Sequence, residues 1–428
     1  MQIHTIQSGQ SLYQLSQTYG VPVETIAEAN EISPSKSLVV GQTLVIPIVG
    51  SYYWVRPGDT LTGIASTQGT TAQRLAEVNR IPIGGALTPG TRLYIPPRER
   101  RPAEINAYVE PRGNSVAPAL LEASREAAPS LTYLAPFSFQ INRDGTLKPP
   151  PIGGLGEIAR QHGAVLMMVV TNLENGQFSA ELGQVVLNDE QVQNRLLDTV
   201  IRTAKESGFR DIHFDIEHLR PADREAYNRF LRKAADRIHG EGLLISTALA
   251  PKTSATQAGE WYTAHDYHKH GQIVDFVVIM TYEWGYSGGP PMPVSPIGPV
   301  RQVLEYALTE MPGSKIMMGQ NLYGYDWTLP FVQGGAYAKA VSPQQAIDIA
   351  REHNAEILYD AKAQAPHYNY WDDKGKEHVV WFEDARSIQA KFDLLKELGL
   401  RGISYWKLGL SFPQNWLLID ENFRVVKK

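Results

Sequence analysis

Cysteine is absent from all 428 residues. Disulfides and thiolate metal sites are therefore excluded, and a chain without thiols tolerates either redox compartment. No run of 18 apolar residues occurs, so no membrane span is expected. An excess of positive charge is also missing. The chain carries 40 Lys and Arg against 45 Asp and Glu, a formal net charge of -5. Binding to a nucleic-acid backbone is not expected from such a balance. The opening Met1-Gln2-Ile3-His4-Thr5 lacks the basic and apolar segments of a signal peptide, which predicts synthesis without an N-terminal secretion signal. What remains is an ordinary globular composition, 43% hydrophobic and 20% charged, in a chain long enough for two or three domains.

The first hundred residues repeat themselves. Residues 1–48 align with 49–97 at a constant offset of 49 and without a gap. Gly9 matches Gly58, Asn30 matches Asn79, Gly41 matches Gly90, and Pro47 matches Pro96. In each unit a short strand leads to a glycine turn. Ser11 or Thr60 then caps a helix, a second helix ends near Asn30 or Asn79, and a last strand closes at proline. The pattern is βααβ. Gly9-Gln10-Ser11-Leu12 with Gly41-Gln42-Thr43-Leu44, and their counterparts Gly58-Asp59-Thr60-Leu61 with Gly90-Thr91-Arg92-Leu93, resemble LysM modules. That resemblance implies binding of N-acetylglucosamine-containing glycans, with the ligand between the loop after the first strand and the loop before the last. Two weak modules in tandem add avidity but no chemistry. The boundaries expected are 1–48, 49–97, and a proline-rich charged linker at 98–102.

From Ala103 onward, strand-length apolar runs alternate with amphipathic helix-length segments. Candidate strands are 105–109, 133–139, 165–171, 211–217, 243–250, 274–282, 316–323 and 402–406. Eight strands alternating with helices suggest a (β/α)8 barrel over 103–428, with a doubly wound open sheet as the alternative. No G-x-G-x-x-G follows any of these strands, which argues against a nucleotide site. The stretch between the seventh and eighth strands is too long for a loop. It reads as a small α+β insertion at about 328–382, with a hairpin turn at Asp373-Lys374-Gly375.

The fourth strand carries the chemistry. Asp211, His213, Asp215 and Glu217 alternate with Ile212, Phe214 and Ile216. The apolar set must face the surrounding helices, so the polar set points into the barrel, with Glu217 at the C-terminal rim where barrel active sites lie. Four ionisable groups on an interior face imply either function or a paired ion network.

Asp215-Ile216-Glu217 resembles the D-x-E core of family 18 glycoside hydrolases. In that family the glutamate protonates the glycosidic oxygen and the aspartate orients the sugar's acetamido group. The resemblance extends to Met280-Thr281-Tyr282 on the sixth strand, where Tyr282 would contact the acetamido group. It extends also to Trp406 on the eighth strand as the floor of the sugar site, and loosely to Tyr323 on the seventh. It implies catalytic roles for Glu217, Asp215 and Tyr282. Substrate contacts are implied at Trp406, His213, Met280 and Tyr323, and expected at Gln320 and Asn321. It calls for no cofactor and no metal. The departure is His213, which stands where the family has an inner aspartate. A second acid placed as nucleophile is not evident, so the implied mechanism is substrate-assisted, with net retention.

Two LysM-like units before such a barrel, with Gly208–Glu217 and Trp381–Ser387, resemble the spore cortex-lytic enzymes of the SleL/YaaH type from spore-forming bacilli. That implies an N-acetylglucosaminidase acting on cortex peptidoglycan during germination, located on the spore, and a monomer is expected. A chitinase and a purely glycan-binding barrel are the competing readings. His265, His268 and His270 cluster in one segment and read as a solvated helix end rather than a metal site.

Overall fold

The computed structural model describes residues 1–259 and 261–428. Its centre is a closed ring of parallel strands: β1 Arg101–Val109, β2 Tyr133–Pro136, β3 Val165–Thr171, β4 Phe209–Asp215, β5 Leu244–Leu249, β6 Phe276–Ile279, β7 Ile316–Asn321 and β8 Gly402–Trp406. Each pairs with the next, and β8 returns to β1, so no edge is left open. This is the (β/α)8 barrel, and the open-sheet alternative falls away.

Alternation within each strand builds two cores. Tyr133, Met167, Val169, Phe276, Val278 and Met317 fill the barrel interior. Ile212, Phe214 and Ile216 point outward into the layer between strands and helices. The helices begin and end on local signals. Asp189 caps Glu190–Ser207 through bonds from Gln191 and Val192, and Gly208 closes it in the left-handed region. Asp384 caps Ala385–Glu397 with a capping box.

The insertion is a five-stranded antiparallel sheet with the helix Pro343–Glu352. It starts with the strand Gly324–Thr328, immediately after β7, and its hairpin turns between Ala365–Trp371 and Glu377–Trp381.

Both N-terminal units are βααβ, with helices capped by Ser11 and Thr60 as expected. They are held very differently. Val45 of the first unit lies in the barrel's outer core, and Val39 lies in the core of the insertion. The Ile357 amide donates to the Val40 carbonyl at 2.9 Å, and Arg386 donates to the Gly41 carbonyl at 3.1 Å. The second unit rests on the first through Tyr52 and Trp54 against Tyr19, and the linker after it meets the barrel through an exposed Arg98–Asp393 pair at 3.1 Å. Arg101 and Pro102, expected in the linker, already belong to β1.

Candidate active site

The ladder of β4 stops at Asp215, so Glu217 stands two residues beyond the strand. Its backbone is held instead by Asn172, just past β3. The Glu217 amide donates to Asn172 Oδ1 at 3.0 Å, and Asn172 Nδ2 donates to the Glu217 carbonyl at 2.8 Å. His265 completes the brace. Its Nδ1 accepts from the Ala250 amide at 2.8 Å, which leaves Nε2 to donate to the Ile216 carbonyl at 3.0 Å. His265 and His270 are thus fully buried, and only His268 is exposed. The segment is not a solvated helix end, because His265 ties the ends of β4 and β5 together and His270, on the helix Tyr267–Ile273, bonds Thr247 of β5 at 3.0 Å.

Asp215, Glu217, Tyr282, Met280, Tyr323 and Trp406 line one cavity of about 400 Å³ at the C-terminal mouth of the barrel. The Asp215 and Glu217 carboxyls lie close enough for each to shift the protonation of the other. Burial raises both carboxyls, and the charge of Glu217 raises Asp215 further, so the pair holds a proton near neutrality. Glu217 is pushed up to about 7. Tyr282 fits under this pair because β7 offers Gly319. A Cβ there would lie 2.5 Å from the Ile279 carbonyl oxygen and 3.0 Å from the Tyr282 ring. Trp406 is fixed by edge contacts to Phe137 at 4.8 Å and Tyr108 at 5.5 Å between centroids. Tyr325 and Ala340 bring the insertion to the cavity as a wall.

Three expected sugar contacts are not at the cavity. His213 is fully buried beneath it, in a chain of hydrogen bonds across the barrel. Ser246 donates to Asp211 at 2.6 Å, so His213 Nδ1 donates to Ser246 at 2.8 Å and Nε2 accepts from Tyr108 at 2.9 Å. Burial alone lowers the imidazole to about 3, so it is neutral. Gln320 and Asn321 are also fully buried. Gln320 Nε2 bonds Asn321 Oδ1 at 3.0 Å, and Asn321 Nδ2 bonds the Tyr323 carbonyl at 2.6 Å. Their polarity serves the junction of barrel and insertion.

Trp261 and Glu283 are among the cavity residues that were not foreseen. Trp261, in the loop after β5, donates its indole N–H to Glu217 Oε2 at 2.5 Å. Glu283 lies in the left-handed region at φ 66° and accepts from the Tyr323 and Tyr325 hydroxyls. Its position directly after Met280-Thr281-Tyr282 was the available signal. Trp261 had none, since it sits in a loop without periodicity.

A family model described as Glycosyl hydrolases family 18 matches residues 127–410. The LysM domain model matches residues 4–47 and 53–96. A protein of Bacillus subtilis (strain 168) named cortical fragment-lytic enzyme is 66% identical over 428 residues, covering 100% of this chain and 99% of the relative. One of the same name from Bacillus anthracis is 56% identical and covers 100% of both chains. The crystal structure of the Bacillus cereus spore cortex-lytic enzyme SleL superposes with a TM-score of 0.93 at 52% identity, covering 100% of this chain and 98% of that one. Barrel, cavity and sequence agree: the chain belongs to glycosyl hydrolase family 18 and is a glycoside hydrolase carrying two LysM domains.

Proposed function

We propose that this hydrolase cleaves the β-1,4 bond after N-acetylglucosamine in spore cortex peptidoglycan, by a substrate-assisted retaining mechanism, during germination. The observation that carries the mechanism is the placement of Asp215 and Glu217 two residues apart at the end of β4, both buried and both lining one cavity. Two carboxyl groups that flank a glycosidic bond stand about 5–5.5 Å apart in retaining enzymes with a protein nucleophile. Two carboxyls on one face of a single strand end sit on one side of the bond instead. The remaining acid that lines the cavity among the described residues, Glu283, is engaged by two tyrosine hydroxyls. The nucleophile in this reading is the carbonyl oxygen of the substrate's own 2-acetamido group.

The reaction then runs in two steps. Glu217, protonated near neutrality because it is buried, gives its proton to the leaving oxygen. The acetamido oxygen attacks C1 and forms an oxazolinium ion. Asp215 accepts from the acetamido N–H and offsets the positive charge, while the Tyr282 hydroxyl holds the acetamido oxygen. Glu217, now a carboxylate, takes a proton from water as the water opens the ring. Two inversions at C1 give net retention. The sugar at the cleavage point must be N-acetylated. Trp406 is the floor on which that sugar stacks, and Met280 and Tyr323 are walls.

The substrate class rests on the names of the relatives and on the LysM domains at 1–48 and 49–97. These domains hold the barrel, 103–428, on a glycan polymer. The cortex location and the germination role rest on the same relatives.

Purified cortex fragments digested with wild type and with Glu217→Gln test the proposal. Wild type should release reducing ends and the variant none. Proton NMR of an early time point should show the retained anomer first. Silent wild type on cortex fragments beside rapid digestion of chitin oligomers would overturn the substrate, and an inverted first anomer would overturn the mechanism.

A further inference from the structure

Two residues act on the Glu217 carboxyl, Asp215 and Trp261, and they differ in kind. Asp215 can exchange a proton with it. Trp261 cannot, because an indole N–H only donates. Trp261 Nε1 lies 2.5 Å from Oε2. The ring is fixed in that place. It stacks on His218 with centroids 6.2 Å apart and planes at 11°, and it packs on Tyr262 at 5.4 Å. The turn beside it is closed by the Tyr262 and Thr263 amides, both bonded to the Gly259 carbonyl. His218 is held in the left-handed region at φ 54°, directly after Glu217. The indole therefore reaches the carboxyl of Glu217 from a loop, on a face that β4 itself does not cover.

We infer that Trp261 is a positioning residue for proton transfer: its indole N–H holds Glu217 Oε2 and stabilises the carboxylate left behind when the proton moves to the leaving oxygen. This rests on the reading of Glu217 as the proton donor. The balance is simple. The proton passes from Glu217 to the glycosidic oxygen, Trp261 keeps its own, and the N–H···O contact becomes charge-assisted at that moment. A buried acid needs such a donor. Desolvation keeps Glu217 protonated and ready, but the same desolvation opposes loss of the proton. The indole bond acts against that second effect. The other titratable groups facing Glu217 are Asp215, Tyr108, Tyr227 and Tyr282, with His218 beside it and Glu283 and Lys407 on the cavity wall. None of the tyrosines ionises in the working range, because burial raises each of them.

The test is Trp261→Phe in the full-length enzyme, which keeps an aromatic ring on His218 and removes the donor. The alkaline limb of kcat/KM should move up by about one pH unit, and kcat at neutral pH should fall roughly tenfold with KM changed less than about twofold. Glu217→Gln is measured in parallel. If Glu217→Gln retains activity, the proton-donor reading itself fails. If it is inactive but Trp261→Phe leaves the limb in place, or raises KM alone as loss of a stacking platform would, the inference about Trp261 is overturned. A second readout does not depend on the Trp261→Phe variant folding. In ¹⁵N-labelled wild type, the indole N–H resonance of Trp261 should titrate with Glu217, and that titration should vanish in Glu217→Gln. An indole signal that is flat with pH in wild type would also sink the idea.

Discussion

Tyr108 donates its hydroxyl to His213 Nε2 at 2.9 Å, from a position where its ring also supports Trp406. The histidine that departs from the family pattern is therefore the far end of a relay, Asp211–Ser246–His213–Tyr108, that fixes a tyrosine on the cavity wall. Replacing His213 with Phe leaves the Tyr108 hydroxyl and Ser246 each short of a partner. The expected loss of stability is about 2–4 kcal/mol, with kcat/KM reduced roughly tenfold as Tyr108 loses its place. The limbs of the pH–rate profile should stay where they are, because a neutral side chain has been removed. Chemical denaturation and a pH–rate series on the same variant check both halves. A limb displaced by a full unit would mean that His213 carries charge.

Glu217 is a stability cost that function imposes, and its sign depends on pH. Its folded pKa of about 7 lies above the ordinary glutamate value of 4.5. A raised acid holds its proton in the folded state before the unfolded chain does, so its contribution is most favourable at low pH and is lost as pH rises through 7. Well above pH 7 the buried charge costs on the order of 3 kcal/mol relative to the unfolded chain. Glu217→Gln removes that cost. The variant should melt several degrees above wild type at pH 8, and the advantage should fade below about pH 5. Thermal unfolding at the two pH values decides it, and an equal difference at both would contradict the burial argument.

His270 gives the opposite sign. Burial lowers its folded pKa to about 3 from 6.5. A depressed histidine stays neutral in the folded state while the unfolded chain takes up a proton. Its stability is present above pH 6.5 and is lost as pH falls toward 3. Between pH 7 and pH 5 this one residue should remove about 2 kcal/mol. In His270→Phe that part of the acid sensitivity disappears. The gap between variant and wild type, followed by denaturant unfolding, should shift by about 2 kcal/mol in favour of the variant as the pH is lowered from 7 to 5. A constant gap would show that His270 is protonated in the folded protein.

The barrel was legible because its signals are local. Strict alternation in Asp211–Glu217 placed Ile212, Phe214 and Ile216 outside and the acids inside. Asp189 and Gly208 marked the ends of one helix. The residues around Glu217 were not legible for the converse reason. Asn172, His265 and Trp261 act through contacts 44 to 49 residues away in the chain, and two of them lie in loops without period. His265 and His270 were read as solvated because their own segment is polar, yet the neighbouring elements bury them. Gln320 and Asn321 stood at the right height on β7 to meet a sugar, but both are fully buried and bonded to each other and to the Tyr323 carbonyl. In the repeat, the informative signal was the mismatch between its halves. Val39 and Val45 of the first unit stand where the second has Thr88 and Tyr94, and those two valines are the ones sunk into the rest of the protein.

That asymmetry leads to a comparison within the molecule. Gly41 and Gly90 occupy the same position in the two units and share the same backbone, φ 83° and φ 85°. Alanine at either position meets the same left-handed strain, about 1 kcal/mol. The surroundings differ. A Cβ at Gly90 meets nothing within 4 Å, whereas a Cβ at Gly41 would fall 1.8 Å from the Ile357 carbonyl oxygen. Contact between these backbones cannot be relieved by a side-chain rotation, so the first unit must move away from the insertion. Gly90→Ala should cost about 1 kcal/mol. Gly41→Ala should cost about 2–4 kcal/mol more and should loosen the Ile357–Val40 bond beside it. Thermal unfolding of the pair measures the difference, because the shared strain cancels. Hydrogen exchange at the Ile357 amide should accelerate in Gly41→Ala and stay unchanged in Gly90→Ala. Equal losses in both variants would mean that the first unit is tethered to the barrel in the same loose way as the second.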